Sequence, residues 1–287
     1  MQAMLLLQYK GKTIFKGKRE ETMFIAIDIG NTHTVVGAYK EEALQANVRI
    51  PSTFERAEEG IGAQMLTLLT GKGVDVKNIN GVGISSVVPR LTDIYISLSK
   101  KIFHQEPLII NANLNLGITI HYNDPKSVGA DRLCNAIAGY AKYGGPLIII
   151  DFGTATTYDI VASNGDYLGG VIAPGIETSA ADLHKRTARL PMIDLKLPDS
   201  IIGTDTVSSM QTGILWGAVD AMTGMVHRIQ SELQQVEAKK ALVISTGGFS
   251  KFVAEHSTVI QHVEPSLVLD GIRFIYDRVR RKGNKPA

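Results

Sequence analysis

The fold is decided by the stretch Phe24-Ile25-Ala26-Ile27-Asp28-Ile29-Gly30-Asn31-Thr32, in which an apolar run ends in Asp, Gly and two small polar residues. The stretch Leu147-Ile148-Ile149-Ile150-Asp151-Phe152-Gly153-Thr154-Ala155-Thr156 repeats this pattern in the other half of the chain. Each apolar run is short and rich in Ile, which is typical of a buried strand. Since both copies precede a second β-like segment, they predict a duplicated domain with an anionic ligand held between the halves.

The residues that follow each strand are suited to phosphate. Each Asp ends a predicted strand, and open α/β sheets usually place their site at the carboxyl ends of strands. Gly30 and Gly153 allow a tight turn and a close approach of the backbone to a ligand. Asp28 would repel phosphate unless Mg²⁺ lay between them, and Mg²⁺ commonly binds one or two carboxylates together with substrate phosphates. Hydroxyl and amide donors for the phosphate are supplied by Asn31, Thr32, Thr154 and Thr156.

Either phrase alone has a simpler explanation, because Asp-x-Gly is a common composition for the turn of a β-hairpin. Two copies in opposite halves favour the duplicated phosphate site. The chain contains no G-x-x-x-x-G-K-[ST] loop, dinucleotide fingerprint, H-E-x-x-H motif or G-x-S-x-G elbow. An ATPase of the P-loop type is therefore not expected.

Composition limits the classes of function. The 287 residues are 44% hydrophobic and 20% charged, which is typical of a globular protein with one large domain or two ordinary ones. A formal net charge of +2 gives no electrostatic footprint for nucleic acid or a membrane surface. The single cysteine, Cys134, excludes an internal disulfide and fits a reducing compartment, so we expect a cytoplasmic protein. Cys134 falls on the apolar side of a predicted helix, which indicates packing and not a nucleophile.

Strands followed by helices recur in both halves, which indicates α/β architecture. We divide the chain into a peripheral N-terminal extension (1–22), a first half (23–145) and a second half (146–287), separated at Gly144-Gly145-Pro146. The predicted strands cover 24–29, 34–40, 46–50, 81–88, 107–111, 147–151, 157–162, 167–172 and 241–246. The predicted helices cover 56–70, 91–103, 127–143, 206–235, 249–256 and 266–281.

A candidate base opens the central predicted helix, in the segment Ser127-Val128-Gly129-Ala130-Asp131-Arg132. Asp131 beside Arg132 suits removal of a proton from a substrate hydroxyl while the arginine holds a carboxylate. The alternative is that Asp131 only interacts with the helix dipole in the first turn. Thr206 has two interpretations as well: part of an N-cap at Thr204-Asp205-Thr206, or a hydroxyl donor to a ligand at the helix start.

Taken together, these segments resemble the type III pantothenate kinases, members of the acetate and sugar kinase/Hsp70/actin superfamily. The resemblance covers nearly the whole chain from Met23 to about Ile275, in family order. It implies duplicated ribonuclease H-like (actin-like ATPase) domains with a nucleotide cleft between them. The matching segments are Asp28–Thr32, Ser85–Pro89, Gly129–Arg132, Asp151–Thr156, Gly169–Gly175, Gly203–Thr206, Met210–Gly213 and Gly247-Gly248.

The resemblance also implies an activity, the phosphorylation of the terminal hydroxyl of pantothenate by ATP as the first step towards coenzyme A. Asp131 matches the general base of the family. The residues that match its ATP site are Asp28, Ile29, Gly30, Asn31, Thr32, His33, Thr34, Val35 and Thr154. The residues that match its pantothenate site are Tyr122, Gly129, Ala130, Asp131, Arg132 and Thr206.

Two cations and a second subunit follow from the same resemblance. Asp28 would lie near Mg²⁺, and Asp151 matches the ligand of a monovalent cation, K⁺ or NH₄⁺. The expected protein is a homodimer in which the neighbouring subunit helps to complete the pantothenate pocket. No nucleic acid or membrane partner is expected.

Three other functions fit the same scaffold. A kinase acting on a sugar or a small acid is disfavoured by the Gly129–Arg132 motif and by Tyr122. A non-catalytic regulator is disfavoured because Asp28, Asp131 and Asp151 are all present. A filament-forming or chaperone-like ATPase of the actin or Hsp70 kind is disfavoured by the shortness of the chain.

Overall fold

The computed structural model describes residues 8–9, 12–13, 22–52 and 57–283, with side-chain burial for residues 22–52 and 57–280. Two short strands, β1 (Gln8–Tyr9) and β2 (Lys12–Thr13), pair antiparallel. Most of the predicted N-terminal extension lies outside the described residues, so its peripheral position stays a prediction. The other described residues form two five-stranded sheets with helices.

The first sheet has the order β5-β4-β3-β6-β7. It is built from β3 (Met23–Ile29), β4 (His33–Lys40), β5 (Ala43–Pro51), β6 (Ile79–Ser86) and β7 (Leu108–Ile109). β3 is antiparallel to β4 and parallel to β6. One face of this sheet packs on α1 (Glu58–Gly71) and α2 (Pro89–Phe103), because alternate side chains of β3 and β4 join the apolar core of these helices.

The second sheet has the order β10-β9-β8-β11-β12. It is built from β8 (Leu147–Phe152), β9 (Ala155–Val161), β10 (Tyr167–Pro174), β11 (Leu242–Gly247) and β12 (His262–Val263). β8 is antiparallel to β9 and parallel to β11, so the second sheet repeats the connectivity of the first. Its helices are α4 (Ile176–Arg186), α5 (Thr206–Leu233) and α6 (Ser250–Glu255).

Two helices lie between the sheets, α3 (Ala130–Tyr143) and α7 (Leu267–Gly283). They share one apolar core with Ala26 of the first sheet and Ile149 of the second. The helices approach closely where a Cβ on Gly271 would collide with the Cys134 carbonyl. α3 therefore carries its first turn, with Asp131, into the space between the two sheets.

The α/β architecture and the duplication predicted from the sequence are confirmed, and most predicted elements occur within a few residues of their expected bounds. α3 begins at Ala130 and not at Ser127, because Pro125–Ser127 forms a separate 3₁₀ turn before an extended Gly129. β6 ends at Ser86 and not at Val88, because α2 starts at Pro89, a favoured residue for the first helical turn. The predictions missed α4 and β12.

The division at residues 145 and 146 stays a prediction. α7 belongs to the second half in sequence, yet Ile272 of this helix lies against Gly83 of the first sheet. Cys134 is buried, as its predicted packing role requires. In the part of the chain that the structure describes, no helix has both the length and the apolar character needed to cross a bilayer.

Candidate active site

Two aspartates occupy equivalent places in the two sheets, one residue before the end of β3 and of β8. Asp28 lies between Ser85 of β6 and Val35 of β4 in the register of the first sheet. Asp151 lies between Thr246 of β11 and Thr157 of β9 in the second. Each is at the carboxyl end of the parallel strands, the place that the sequence predicted for the site.

The turns after these strands are also equivalent, and they meet. The Gly30 N–H donates to the His33 carbonyl, and the Gly153 N–H donates to the Ala155 carbonyl, each at 3.1 Å. The hydroxyl oxygens of Thr32 and Thr154 lie 2.8 Å apart across the space between the halves. The two predicted phosphate turns therefore face one common volume.

Asp131 lies in the same volume. Its carboxyl accepts the Arg132 backbone N–H at 2.8 Å, and burial raises its pKa above the ordinary range. Burial, with the charges of Asp131 and Asp151, raises the pKa of Asp28 to about 8, although the Ser85 hydroxyl donates to Asp28 at 2.9 Å. Burial and the charge of Asp131 raise the pKa of Asp151 to about 6. Three carboxyl groups thus repel one another in a poorly solvated place, where cations are favoured.

The oxygen atoms around these carboxyls suit a cation that also takes ligands from water or substrate. The Asn135 amide donates to Asp151 at 3.1 Å, while its buried Oδ1 has no hydrogen-bond partner among the described residues. Within residues 22–52 and 57–280, no three or more His, Cys, Asp and Glu side chains are grouped to hold a metal ion. Mg²⁺ suits such a site, because it completes its coordination with waters and substrate phosphates.

Arg132, the predicted clamp for a substrate carboxylate, is buried and already has a partner. Its Nε donates to Asp159 at 2.7 Å, and its Nη2 donates to the Tyr158 carbonyl at 3.4 Å. The Tyr167 hydroxyl also donates to Asp159, at 2.8 Å. The structure thus fixes one side of the guanidinium. Sequence reasoning missed Asp159, whose signal was a carboxylate inside the apolar end of a strand.

Tyr122, a predicted substrate residue, lies beside Arg132. Tyr122 is 37% exposed, and its ring centroid lies 6.5 Å from that of Tyr167. Gly169 has φ 130°, a conformation that favours glycine, and a Cβ there would touch the Tyr122 ring at 3.9 Å. A Cβ on Gly170 would collide with Arg132 Nη2 and the Tyr158 carbonyl. Gly169 and Gly170 therefore leave room for the side chains of Tyr122 and Arg132.

The other predicted residues divide into accessible and buried groups. Asn31 and Thr32 are exposed and His33 is partly exposed. Ile29 belongs to the core, and the Thr34 hydroxyl is buried against the Ser52 hydroxyl at 3.2 Å, so these two side chains do not face a ligand. Ala130 is buried at the start of α3.

Thr206 is the remaining predicted substrate residue. It begins α5 after the N-cap Asp205, whose side chain accepts the Ser208 N–H at 2.9 Å, so the predicted cap is confirmed. Thr206 lines a groove of about 670 Å³ in which Leu183, Leu190 and Met210 also take part. The residues that form this groove do not include Tyr122, Asp131 or Arg132.

Comparison with known proteins gives the same family as the motifs. A family model described as type III pantothenate kinase matches residues 24–228. A protein of Moorella thermoacetica named type III pantothenate kinase is 39% identical over 256 residues, which cover 89% of this chain and 99% of that protein.

Solved structures agree on the fold. Component A of (R)-2-hydroxyglutaryl-CoA dehydratase from Acidaminococcus fermentans has a TM-score of 0.52 at 12% identity, with 92% of this chain and 100% of that chain covered. MreB 5 of Spiroplasma citri, solved with bound AMPPNP, has a TM-score of 0.53 at 13% identity, with 92% and 98% covered. The predicted actin-like ATPase fold is confirmed.

Proposed function

Because the chain belongs to the type III pantothenate kinase family, which phosphorylates pantothenate in coenzyme A biosynthesis, we propose a specific assignment of roles for that reaction. The chain is a kinase, and its substrates are pantothenate and ATP. The observation that supports the assignment is the convergence of Asp131 with the two turns joined by Thr32 and Thr154.

Asp131 is the general base in this proposal. It accepts the proton of the terminal hydroxyl of pantothenate as that oxygen attacks the γ-phosphorus of ATP, while the bond from this phosphorus to the β,γ-bridging oxygen breaks and ADP leaves. Burial raises its pKa, which makes the carboxylate a stronger proton acceptor than an exposed Asp. The hydrogen bond from the Arg132 backbone N–H holds the carboxyl in place at the start of α3.

The turn that contains Gly30, Asn31 and Thr32 binds the phosphates of ATP, together with Thr154 from the second turn. Phosphoryl transfer depends mainly on positioning and charge neutralisation, so backbone N–H groups and hydroxyls suit this role. Asp28 would hold the divalent cation of MgATP. When bound, Mg²⁺ neutralises charge on the phosphates.

Asp151 would hold a monovalent cation, K⁺ or NH₄⁺, and Asn135, whose amide donates to Asp151, would offer its unpaired oxygen as a second ligand. The buried, unpaired Asn135 Oδ1 supports this role, because buried polar atoms normally have a partner. Tyr122 and the neighbouring Arg132 would hold the pantothenate, with Gly129 and Ala130 at the start of α3 beside it.

We further propose a cytoplasmic homodimer in which the neighbouring subunit completes the pantothenate pocket. Thr206 lines a groove to which Asp131 does not contribute, and exposed apolar residues belong to this lining or lie within two residues of it in sequence. Exposed apolar surface of this kind marks interaction sites. The exposed residues are Leu183 at 38%, Met192 at 76%, Ile201 at 60%, Ile202 at 79% and Val207 at 41%. The near-neutral charge supports the absence of a nucleic-acid or membrane partner.

ADP release from ATP and Mg²⁺ tests the proposal, measured with and without pantothenate in K⁺, NH₄⁺ and Na⁺ buffers. We expect release that requires pantothenate and is faster in K⁺ or NH₄⁺ than in Na⁺. Equal rates in all buffers would remove the monovalent cation. No pantothenate-dependent release from a folded dimer would overturn the assignment and favour a different phosphoryl acceptor or a regulator.

A further inference from the structure

The predicted phosphate turns contain no lysine or arginine. Residues 28–35 and 151–156 supply carboxylates, hydroxyls, an amide and His33, but no permanent positive charge. Transfer of a phosphoryl group is accelerated by cationic side chains beside the phosphates. Arg132 already donates a hydrogen bond from its Nε to Asp159. Any cationic side chain that adds to the metal ions at these phosphates must come from another part of the chain.

Arg49 lies in the same cross-strand row as Asp28. Asp28 of β3 is opposite Val35 of β4, and Val35 is opposite Arg49 of β5. Since neighbouring strands are about 4.8 Å apart, the backbones of Asp28 and Arg49 are separated by roughly 10 Å. Residues directly opposite one another in a sheet point to the same face, so the Arg49 side chain is on the Asp28 face.

Burial along β4 and β5 identifies that face. Thr34, Val36, Val48 and Ile50 are buried, and the three apolar ones join the core beneath α1 and α2. Arg49 alternates with Val48 and Ile50, is exposed, and therefore lies on the opposite face, which carries Asp28. Its charge is not enclosed in the core.

A hydrogen bond directs Arg49 towards the phosphate turn. Arg49 Nη2 donates to His33 Nδ1 at 3.0 Å, and the His33 carbonyl closes the turn on the Gly30 N–H. This bond uses one of five guanidinium N–H donors and leaves others available. Burial and the charge of Arg49 lower the pKa of His33, which favours the neutral imidazole that accepts this bond.

The equivalent place in the second sheet has no charge. Asp151 is opposite Thr157, and Thr157 is opposite Ile172, an exposed aliphatic residue where the first sheet has Arg49. The first sheet therefore differs from the second in having a cationic side chain in the row of its aspartate.

We propose that Arg49 is a further phosphate-binding residue, which donates hydrogen bonds to the β- and γ-phosphate oxygens of ATP held by the Gly30–Thr32 turn. This inference rests on the proposed function of that turn. Arginine suits the role because its planar fork of donors matches phosphate oxygens and its charge is permanent.

Two variants at this position, Arg49→Ala and Arg49→Lys, test the proposal in the full-length protein. The KM for MgATP and the Kd for MgATP by titration calorimetry are measured beside the KM for pantothenate. We expect Arg49→Ala to raise the KM and Kd for MgATP by about tenfold or more, as lost charge-assisted hydrogen bonds do, and to leave the KM for pantothenate unchanged. Arg49→Lys should recover part of the loss, because it restores the charge without the fork.

Matched controls separate phosphate contact from general effects of charge or folding. Lys72→Ala removes the same charge from the end of α1, beneath the other face of the sheet, and should leave MgATP binding unchanged. Asn47→Ala changes the same strand and the same exposed face without altering charge. Adenosine, which lacks phosphates, should bind equally to Arg49→Ala and to the unaltered protein.

Unchanged KM and Kd for MgATP in Arg49→Ala would overturn the proposal, as would an equal loss for adenosine. The binding measurement decides independently of turnover. If the unaltered protein binds MgATP but does not phosphorylate pantothenate, the proposed function fails, while the role of Arg49 is still judged from the Kd values.

Discussion

The two sheets have the same strand order, yet the equivalent aspartates have different surroundings. Asp28 accepts a hydroxyl hydrogen bond from Ser85, whereas Asp151 accepts an amide hydrogen bond from Asn135 of α3. Burial and neighbouring charges raise the pKa of Asp28 to about 8 and that of Asp151 to about 6. Duplication therefore provides two similar positions, and the residues packed around each position determine its chemistry.

The same comparison extends along the antiparallel strands. Asp159 of β9 is equivalent to Gly37 of β4, since each lies two residues after the partner of its aspartate. At Gly37 the first sheet has room for Leu269 of α7, because a Cβ there would lie 2.8 Å from its Cδ1. At Asp159 the second sheet instead pairs with Arg132 of α3. One sheet uses this place for packing, and the other uses it to orient a charged side chain.

The largest expected effect comes from Asp131, which both aspartates have as a neighbour. Asp131→Asn removes the proton acceptor but keeps the shape, so we expect turnover to fall by about 10²–10⁴-fold. The Kd for MgATP should stay near its original value, since the phosphate turns are intact. Steady-state kinetics and calorimetry check this. Near-normal turnover of the folded variant would show that Asp131 is not the base.

A smaller effect is expected at Gly170, which allows Arg132 to reach Asp159. A Cβ there collides with Arg132 Nη2 and the Tyr158 carbonyl, so Gly170→Ala should displace the guanidinium and raise the KM for pantothenate. Such overpacking typically costs about 1–3 kcal/mol of stability.

Gly224→Ala is the control for Gly170→Ala. Gly224 is exposed in α5, and a Cβ there has no neighbour within 4 Å, so this helical substitution should leave the KM unchanged and slightly raise the Tm. An unchanged KM for pantothenate in Gly170→Ala would indicate that the position of Arg132 does not matter for substrate.

The smallest effect concerns the contact between the two turns. Thr32→Val and Thr154→Val each remove a hydroxyl from a pair 2.8 Å apart, and each should weaken MgATP binding by about two- to tenfold. If the turns act as one unit, the double variant should lose less than the sum of the two single losses. Thr32→Ser and Thr154→Ser keep the hydroxyls and serve as controls. Full additivity would show that the turns bind ATP independently.

Local patterns in the sequence predicted both aspartates and both turns, because an Ile-rich strand followed by Asp-x-Gly is a signal contained within ten residues. The Arg132–Asp159 pair was not predicted, since α3 and β9 meet only in the folded chain and neither segment identifies its partner. α4 was missed because Ile176 is its one buried residue in the described structure, so it has little apolar periodicity. β12 was missed because it has two residues, too few for an alternating pattern.

The central claim is that Asp28 and Asp151 occupy equivalent places but serve different cations. The most direct test measures pantothenate-dependent ADP release by Asp28→Asn and Asp151→Asn, with Mg²⁺ titrated in K⁺ buffer and with K⁺, NH₄⁺ and Na⁺ compared at saturating Mg²⁺. We expect Asp28→Asn to need more Mg²⁺ and to keep the preference for K⁺ or NH₄⁺ over Na⁺. Asp151→Asn should lose that preference and keep the original Mg²⁺ requirement. The same change in both variants, or an unaltered preference in Asp151→Asn, would contradict the claim.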